Sequence, residues 1–152
     1  MNRILIQKED FDISSEIKTA RSGDHGVGAV VSFVGTVRDL TDAKIAKMTL
    51  EHYPGMTQKA LESIAVEAGE RFNIGNTTII HRVGEMSVSD QIVLVITTSK
   101  HRKEAFQSCE FIMDYLKTKA PFWKKEESIS GESHWVEENK KDLDSFDRWN
   151  SK

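Results

Sequence analysis

The chain of 152 residues contains one cysteine, Cys109, and two prolines, Pro54 and Pro121. A single thiol excludes an intramolecular disulfide framework and any metal site built from cysteines alone. No Pro/Gly/Ser-rich linker divides the chain, and no internal repeat is visible. Long apolar runs are missing too: the longest is five residues, 92–96, where a bilayer span needs roughly 20. The first residues carry Arg3 inside their apolar stretch and lack the hydrophobic run of a secretory leader. Neither sign of charge dominates. Lys and Arg number 21 against 24 Asp and Glu, a formal net charge of −3, which argues against indiscriminate binding of nucleic acid. These absences leave a cytoplasmic protein with no membrane or nucleic-acid partner as the expectation.

What is present suffices for one core. A domain of this length buries roughly 70% of its unfolded-chain surface. Residues 1–138 are expected to form that domain, followed by a polar tail, 139–152, made amphipathic by Leu143, Phe146 and Trp149. Residues 3–7 read as a short strand, and 14–21 as a weak helix capped by Asp12 or Ser14. Three glycines within 22–28 mark a loop. The β-branched and aromatic run 29–38 reads as a strand buried for much of its length. After a polar loop, 39–44, a second strand, 45–53, is stopped by Pro54-Gly55. Leu61, Ile64, Ala65, Ala68 and Phe72 recur at helical spacing over 56–72, and Ala105, Cys109, Ile112, Met113 and Leu116 do so over 100–118. Strands are expected at 77–83, 86–88 and 91–98. Pro121 ends the second strong helix, and 122–129 with 133–136 alternate as a hairpin around Gly131. The pattern is α+β.

Charge is distributed unevenly. Between residues 99 and 125 lie seven basic and three acidic side chains, so this window carries +4 and the rest of the chain −7. A basic patch on an acidic protein points to a local anionic ligand. Lys100-His101-Arg102-Lys103 opens a helix, where each cation opposes the macrodipole by about 0.3–1 kcal/mol. Free backbone N–H groups beside His and Arg suit a phosphate; solvated side chains are the alternative. Lys117 and Lys119 sit at the helix C-terminus, where cations are favourable anyway. The corner that follows, Pro121-Phe122-Trp123-Lys124, offers two aromatics as walls that desolvate a lysine and tune it for proton transfer. Alternation puts Trp123 and Lys124 on opposite faces. Cys109 lies on the apolar face of its helix and reads as buried and inert. The five histidines show no ligand-type spacing, so no metal site is expected. Arg38 closes an apolar strand. On this basis the chain is an enzyme or binding module for a small phosphorylated ligand.

Longer blocks carry a resemblance. Residues 31–38 (VSFVGTVR), 50–56 (LEHYPGM), 81–85 (HRVGE), 99–102 (SKHR) and 111–126 (FIMDYLKTKAPFWKKE) closely resemble the large, catalytic subunits of molybdopterin synthase, in that family's order. The resemblance implies an α/β-hammerhead-type fold with an additional antiparallel sheet. It also implies a sulfurtransferase that converts cyclic pyranopterin monophosphate to molybdopterin by installing two sulfurs as a dithiolene. Sulfur would arrive as the C-terminal Gly-Gly thiocarboxylate of a small ubiquitin-like subunit, with a homodimer of large subunits inside a heterotetramer, and with no metal or organic cofactor. By position in the matching blocks, Thr36, Val37 and Arg38 contact the pterin, His101 and Arg102 bind anionic groups, and Lys124, Lys125 and Glu126 form a second substrate-contacting segment. Lys117 is the implied catalytic lysine, with Lys124 as electrostatic stabiliser. Two other functions stay open at this point: a docking module that binds the carrier tail without chemistry, and a hydrolase or transferase of another small phosphate ester.

Overall fold

Among the described residues, the alternation and helical spacings above resolve, in the computed structural model, into two four-stranded sheets and three helices. The structure describes residues 1–39, 45–128, 133–136, 147 and 149. The first sheet has the order β1-β4-β6-β2, built from β1 (Asn2–Gln7), β4 (Thr77–Arg82), β6 (Gln91–Ser99) and β2 (Ala29–Thr36). β1 runs parallel to β4, and the other two pairings are antiparallel. The second sheet is antiparallel throughout, in the order β5-β3-β7-β8, from β5 (Gly84–Ser87), β3 (Ile45–His52), β7 (Phe122–Ser128) and β8 (Ser133–Val136). The helices are α1 (Ile13–Arg21), α2 (Met56–Arg71) and α3 (Arg102–Lys119).

Strand alternation divides the core. Ile79, Val93 and Val95 face α2 and α3, where they pack with Leu61, Ile64, Ala65, Ala68, Cys109, Phe111, Ile112, Tyr115 and Leu116. Ile80, Leu94 and Ile96 point the other way, to Phe11 and Ala20 beside α1. β6 is therefore covered on both faces, and its sequence is accordingly an unbroken apolar run. A third cluster, Val37, Met48, Leu50 and Met86, lies at the second sheet. Asp12 is the cap of α1, its Oδ1 accepting the Ser15 N–H at 2.9 Å.

Three expectations need correction. β2 is half-buried or exposed, with Phe33 39% exposed. It is an edge strand of its sheet, while β6 lies inside the sheet between β4 and β2. α3 starts at Arg102, with Lys100 and His101 outside the helix, because His101 is the extended N-cap residue. β5 begins at Gly84 because that residue, at φ +91°, lets the chain turn straight from one sheet into the other. The expected loop over 40–44, the turn at Gly131 and most of the tail lie outside the described residues. Of that tail, Trp149 packs on its own chain, edge-on to Phe72 and Phe111 at 6.0 and 5.4 Å between ring centroids.

Candidate functional site

The Pro121 corner joins α3 to β7 and sets the basic residues on either side of it. Lys117 lies in the last turn of α3, and the Phe122 N–H returns to the Ala120 carbonyl at 2.9 Å. Thr57, fully buried at the start of α2, braces this corner: its hydroxyl donates to the Pro121 carbonyl at 2.9 Å and accepts the Tyr53 N–H at 3.0 Å. The turn at 53–57 thus anchors the chain between the two lysine-bearing elements.

Phe122 stacks on His81 at the end of β4, with ring centroids 3.8 Å apart and planes inclined by 17°. His81 Nδ1 lies 2.9 Å from the Arg82 carbonyl oxygen. A carbonyl only accepts, so Nδ1 carries the proton in that bond. Burial drives the His81 pKa down to about 4; the bond to Arg82 opposes this, and the charges of Lys117 and His52 add to the depression. A neutral imidazole thus sits between the sheets beside Lys117.

Along β7 the side chains alternate. Lys124 and Glu126 share a face, with the Lys124 Nζ 3.8 Å from Glu126 Oε2 and Glu126 buried. Directly opposite them in register are Leu50 and Met48, whose cluster includes Val37. Cross-strand partners point to the same side of a sheet, so the segment 36–38 lies across the face that carries Lys124 and Glu126. Val37 is fixed there by its N–H to the Asp90 carbonyl at 2.9 Å and by its carbonyl, which accepts the Ser89 N–H at 2.8 Å. Thr36 and Arg38 flank it and are exposed. Lys125 points to the opposite, exposed face with Trp123 and its cross-strand neighbour Trp135.

The aromatic walls expected around a lysine are absent in that form. Phe122 is engaged with His81, while Trp123 is exposed and packs edge-on to Tyr53 at 4.8 Å. Lys117 is itself exposed.

His101 and Arg102 are not brought to the corner. Fifteen helical rises of 1.5 Å put Arg102 about 22 Å along α3 from Lys117. β2 repeats the separation: Ala29 at its start pairs with Ser99, and Thr36 at its end with Gln91. At that far end His101 caps α3 through an extended backbone with no side-chain cap. The unpaired first-turn N–H groups of α3 lie beside exposed His101 and Arg102, chemistry that suits an anion. Among the described residues no group of three or more His, Cys, Asp or Glu is placed to hold a metal ion, and no helix is long and apolar enough to cross a membrane.

His81 and Thr57 were missed as supports of the site by reading residue types and spacing. The available signals were weak: a histidine closing an apolar strand, and a threonine just after Pro54-Gly55.

Residues 6–119 match the family described as MoaE protein. The chain is 50% identical over 150 residues to the molybdopterin synthase catalytic subunit of Ralstonia nicotianae, covering 98% of this chain and 85% of that one. Its fold is similar to the molybdopterin biosynthesis MoaE protein of Burkholderia ambifaria, at a TM-score of 0.85 and 51% identity over the whole of both chains. It is also similar to a molybdopterin synthase structure from Staphylococcus aureus, at a TM-score of 0.79 and 33% identity, covering 89% of this chain and 96% of that one.

Proposed function

The chain belongs to the MoaE family, and from that premise we propose that it works as the catalytic subunit of molybdopterin synthase, a sulfurtransferase of molybdenum cofactor biosynthesis. The substrate in this reading is cyclic pyranopterin monophosphate, and the sulfur donor is the thiocarboxylated C-terminal Gly-Gly of a small ubiquitin-like subunit. The observation that carries the reading is the corner at Pro121, which sets Lys117 before it and Lys124 with Glu126 just after it, on the sheet face where Val37, just past the end of β2, packs.

Each sulfur enters as a thiocarboxylate nucleophile that forms a C–S bond to the pterin side chain as a C–O bond breaks: one oxygen leaves with the phosphate as its ring opens to a monoester, and the other leaves as water. Water then cleaves the acyl–sulfur bond, returning a carboxylate to the carrier and leaving sulfur on the pterin. Negative charge develops on the acyl oxygen and on the opening phosphate, so fixed cations stabilise the transition state. We assign Lys124 to that role, held in place by Glu126, and Lys117 to proton transfer as general acid and base. Insertion of the carrier tail removes water from around Lys117, as that role requires. Thr36, Val37 and Arg38 contact the pterin, whereas Lys125, on the opposite face of β7, is left out of that contact within one chain. Because the partner brings the sulfur, no resident cofactor is assigned. We place the reaction in the cytoplasm, since thiocarboxylate and dithiolene sulfurs survive best where thiols stay reduced.

His101 and Arg102 enter the site through a second copy of the chain. β2 is an edge strand that exposes Phe33, and antiparallel pairing of two β2 edges about a twofold axis sets the Ala29 end of one copy beside the Thr36 end of the other. The anion-binding turn of one chain thereby meets Arg38 and the lysines of its partner, which makes a homodimer the functional core of a heterotetramer.

Reconstitution tests the reading. The protein is mixed with cyclic pyranopterin monophosphate and thiocarboxylated small subunit, and the dithiolene product is followed as its oxidised fluorescent derivative beside a Lys117→Ala sample. Product from the wild type alone supports both function and lysine. Product from both samples removes Lys117 from its role. Carrier binding without product turns the reading to a docking module.

A further inference from the structure

Gly28 and Ser99 lie outside every residue assigned to substrate above, yet both bear directly on the turn that presents His101 and Arg102. The Gly28 N–H donates to the Ser99 carbonyl at 2.9 Å, extending the β2–β6 pairing by one residue beyond Ala29 and Ser99. The chain passes so close to the next peptide that a Cβ on Gly28 would stand 2.3 Å from the Lys100 carbonyl oxygen. That neighbour is backbone and has no rotamer by which to move aside. From the other side, the buried Ser99 hydroxyl donates to the His101 carbonyl oxygen. The peptide run 99–101 is thus held against one glycine and tied back by one hydroxyl, immediately before the first residue of α3. His101 itself has no side-chain cap bond to fix the turn.

We propose that Gly28 and Ser99 are positioning residues for anion recognition: together they mount the turn 99–101 so that His101, Arg102 and the first N–H groups of α3 converge on the phosphate of the substrate. The inference rests on the assignment of His101 and Arg102 to that phosphate. Gly28 is required for its missing side chain, since no positive φ constrains it. Bringing a methyl group to ordinary contact with the Lys100 oxygen, at about 3.5 Å, moves that peptide by about 1 Å, a displacement large enough to misalign charge-assisted hydrogen bonds. Within one chain, Lys117 and Arg38 lie at the far ends of α3 and β2 from this turn, and Lys124 lies beyond the Pro121 corner, so binding weakens while the chemical step is left intact.

Steady-state kinetics of the reconstituted synthase separate the possibilities, with pterin substrate varied at saturating carrier. Gly28→Ala is expected to raise KM about tenfold with kcat within about twofold of wild type. Ser99→Ala is expected to raise KM by a smaller factor, and Ser99→Thr, which keeps the hydroxyl, to restore it. The Ser99 pair decides the matter if Gly28→Ala does not fold. Arg102→Ala serves as the reference. If it leaves KM unchanged, the phosphate assignment fails and takes this inference with it. If Arg102→Ala raises KM while Gly28→Ala and Ser99→Ala leave it unchanged, or lower kcat instead, the mount is overturned and the assignment stands.

Discussion

The imidazole of His81 and the phenyl ring of Phe122 lie face to face, 3.8 Å apart, and join the end of β4 in one sheet to the start of β7 in the other. Burial keeps the His81 pKa near 4 against an ordinary 6.5, so the stacked imidazole is neutral at neutral pH and resists protonation there. The unfolded chain therefore binds a proton between these values that the folded chain refuses. Stability from this group is complete above pH 6.5 and is lost as the pH falls towards 4, by roughly 3 kcal/mol in all. Urea denaturation at pH 7 and at pH 4 reads the loss directly. His81→Phe keeps the stack without the titration and should flatten the profile over this interval. The charged neighbours Lys117 and His52 act in the same direction, while Asp10, held below its usual range by Gln91 and the Phe11 N–H, contributes only at lower pH. An unchanged slope in His81→Phe would show that other groups govern the acid limb.

That ring pair also marks where reading the sequence stopped. The helices over 56–72 and 100–118 were legible because apolar side chains at helical spacing must face a core, and the cluster around Leu61, Cys109 and Ile112 is that core. β6 announced itself through an apolar run covered on both faces. β2 looked equally apolar but is an edge, since composition does not report strand order. Lys117 and Lys124 were legible as a basic corner, the 36–38 segment as a strand end, and Glu126 only through the family resemblance. Their convergence was not, because it depends on the register that sets Lys124 against Leu50 and on the packing of Val37 over it. His81 gave no local signal: its role comes from a partner 41 residues away in the chain.

A sulfur-transfer enzyme invites the assumption of a reactive thiol, and Cys109 is unsuited to the task. It lies on α3 in the core cluster with Ile112 and Phe111 of the same helix and Leu61 of α2, and burial pushes its thiol up to about 12. At neutral pH it is protonated and shielded. Cys109→Ala is expected to retain sulfur transfer within about twofold and to lose about 1 kcal/mol of stability through the vacated volume. Iodoacetamide should label the native protein slowly and the urea-unfolded protein fast. Rapid native labelling, or a folded variant that makes no product, would reverse this conclusion.

The Lys124–Glu126 pair is half open to water on the lysine side, with side-chain exposures of 41% and 10%. Such a pair adds little to stability; in the proposed mechanism it aims the ammonium. Glu126→Gln preserves shape and removes the charge, so the melting temperature should change by no more than a few degrees. The kcat of the reconstituted synthase should fall about tenfold with KM little altered, because a mobile cation stabilises the developing oxyanion less well. A kcat equal to wild type would leave Glu126 without a part in orienting Lys124.

Trp149 tests whether the end of the chain belongs to the domain's own core. Its ring meets Phe72 and Phe111 edge-on, its indole N–H donates to Asp114, and its carbonyl accepts the Arg71 guanidinium at 3.1 Å. Arg71 in turn lies 4.8 Å over the Phe111 ring. The tryptophan thus closes the groove between α2 and α3, with Asp114 one turn ahead of Lys117. Trp149→Ala should cost about 2–3 kcal/mol, from lost apolar burial and edge-to-face contacts. Trp149→Phe keeps one aromatic ring and gives up the hydrogen bond with part of the indole's volume, at about 1–2 kcal/mol. Chemical denaturation of the protein without its carrier measures both. If the alanine variant is as stable as wild type alone but weakens carrier binding, Trp149 belongs to the intersubunit surface, and the intrachain contacts carry no stability.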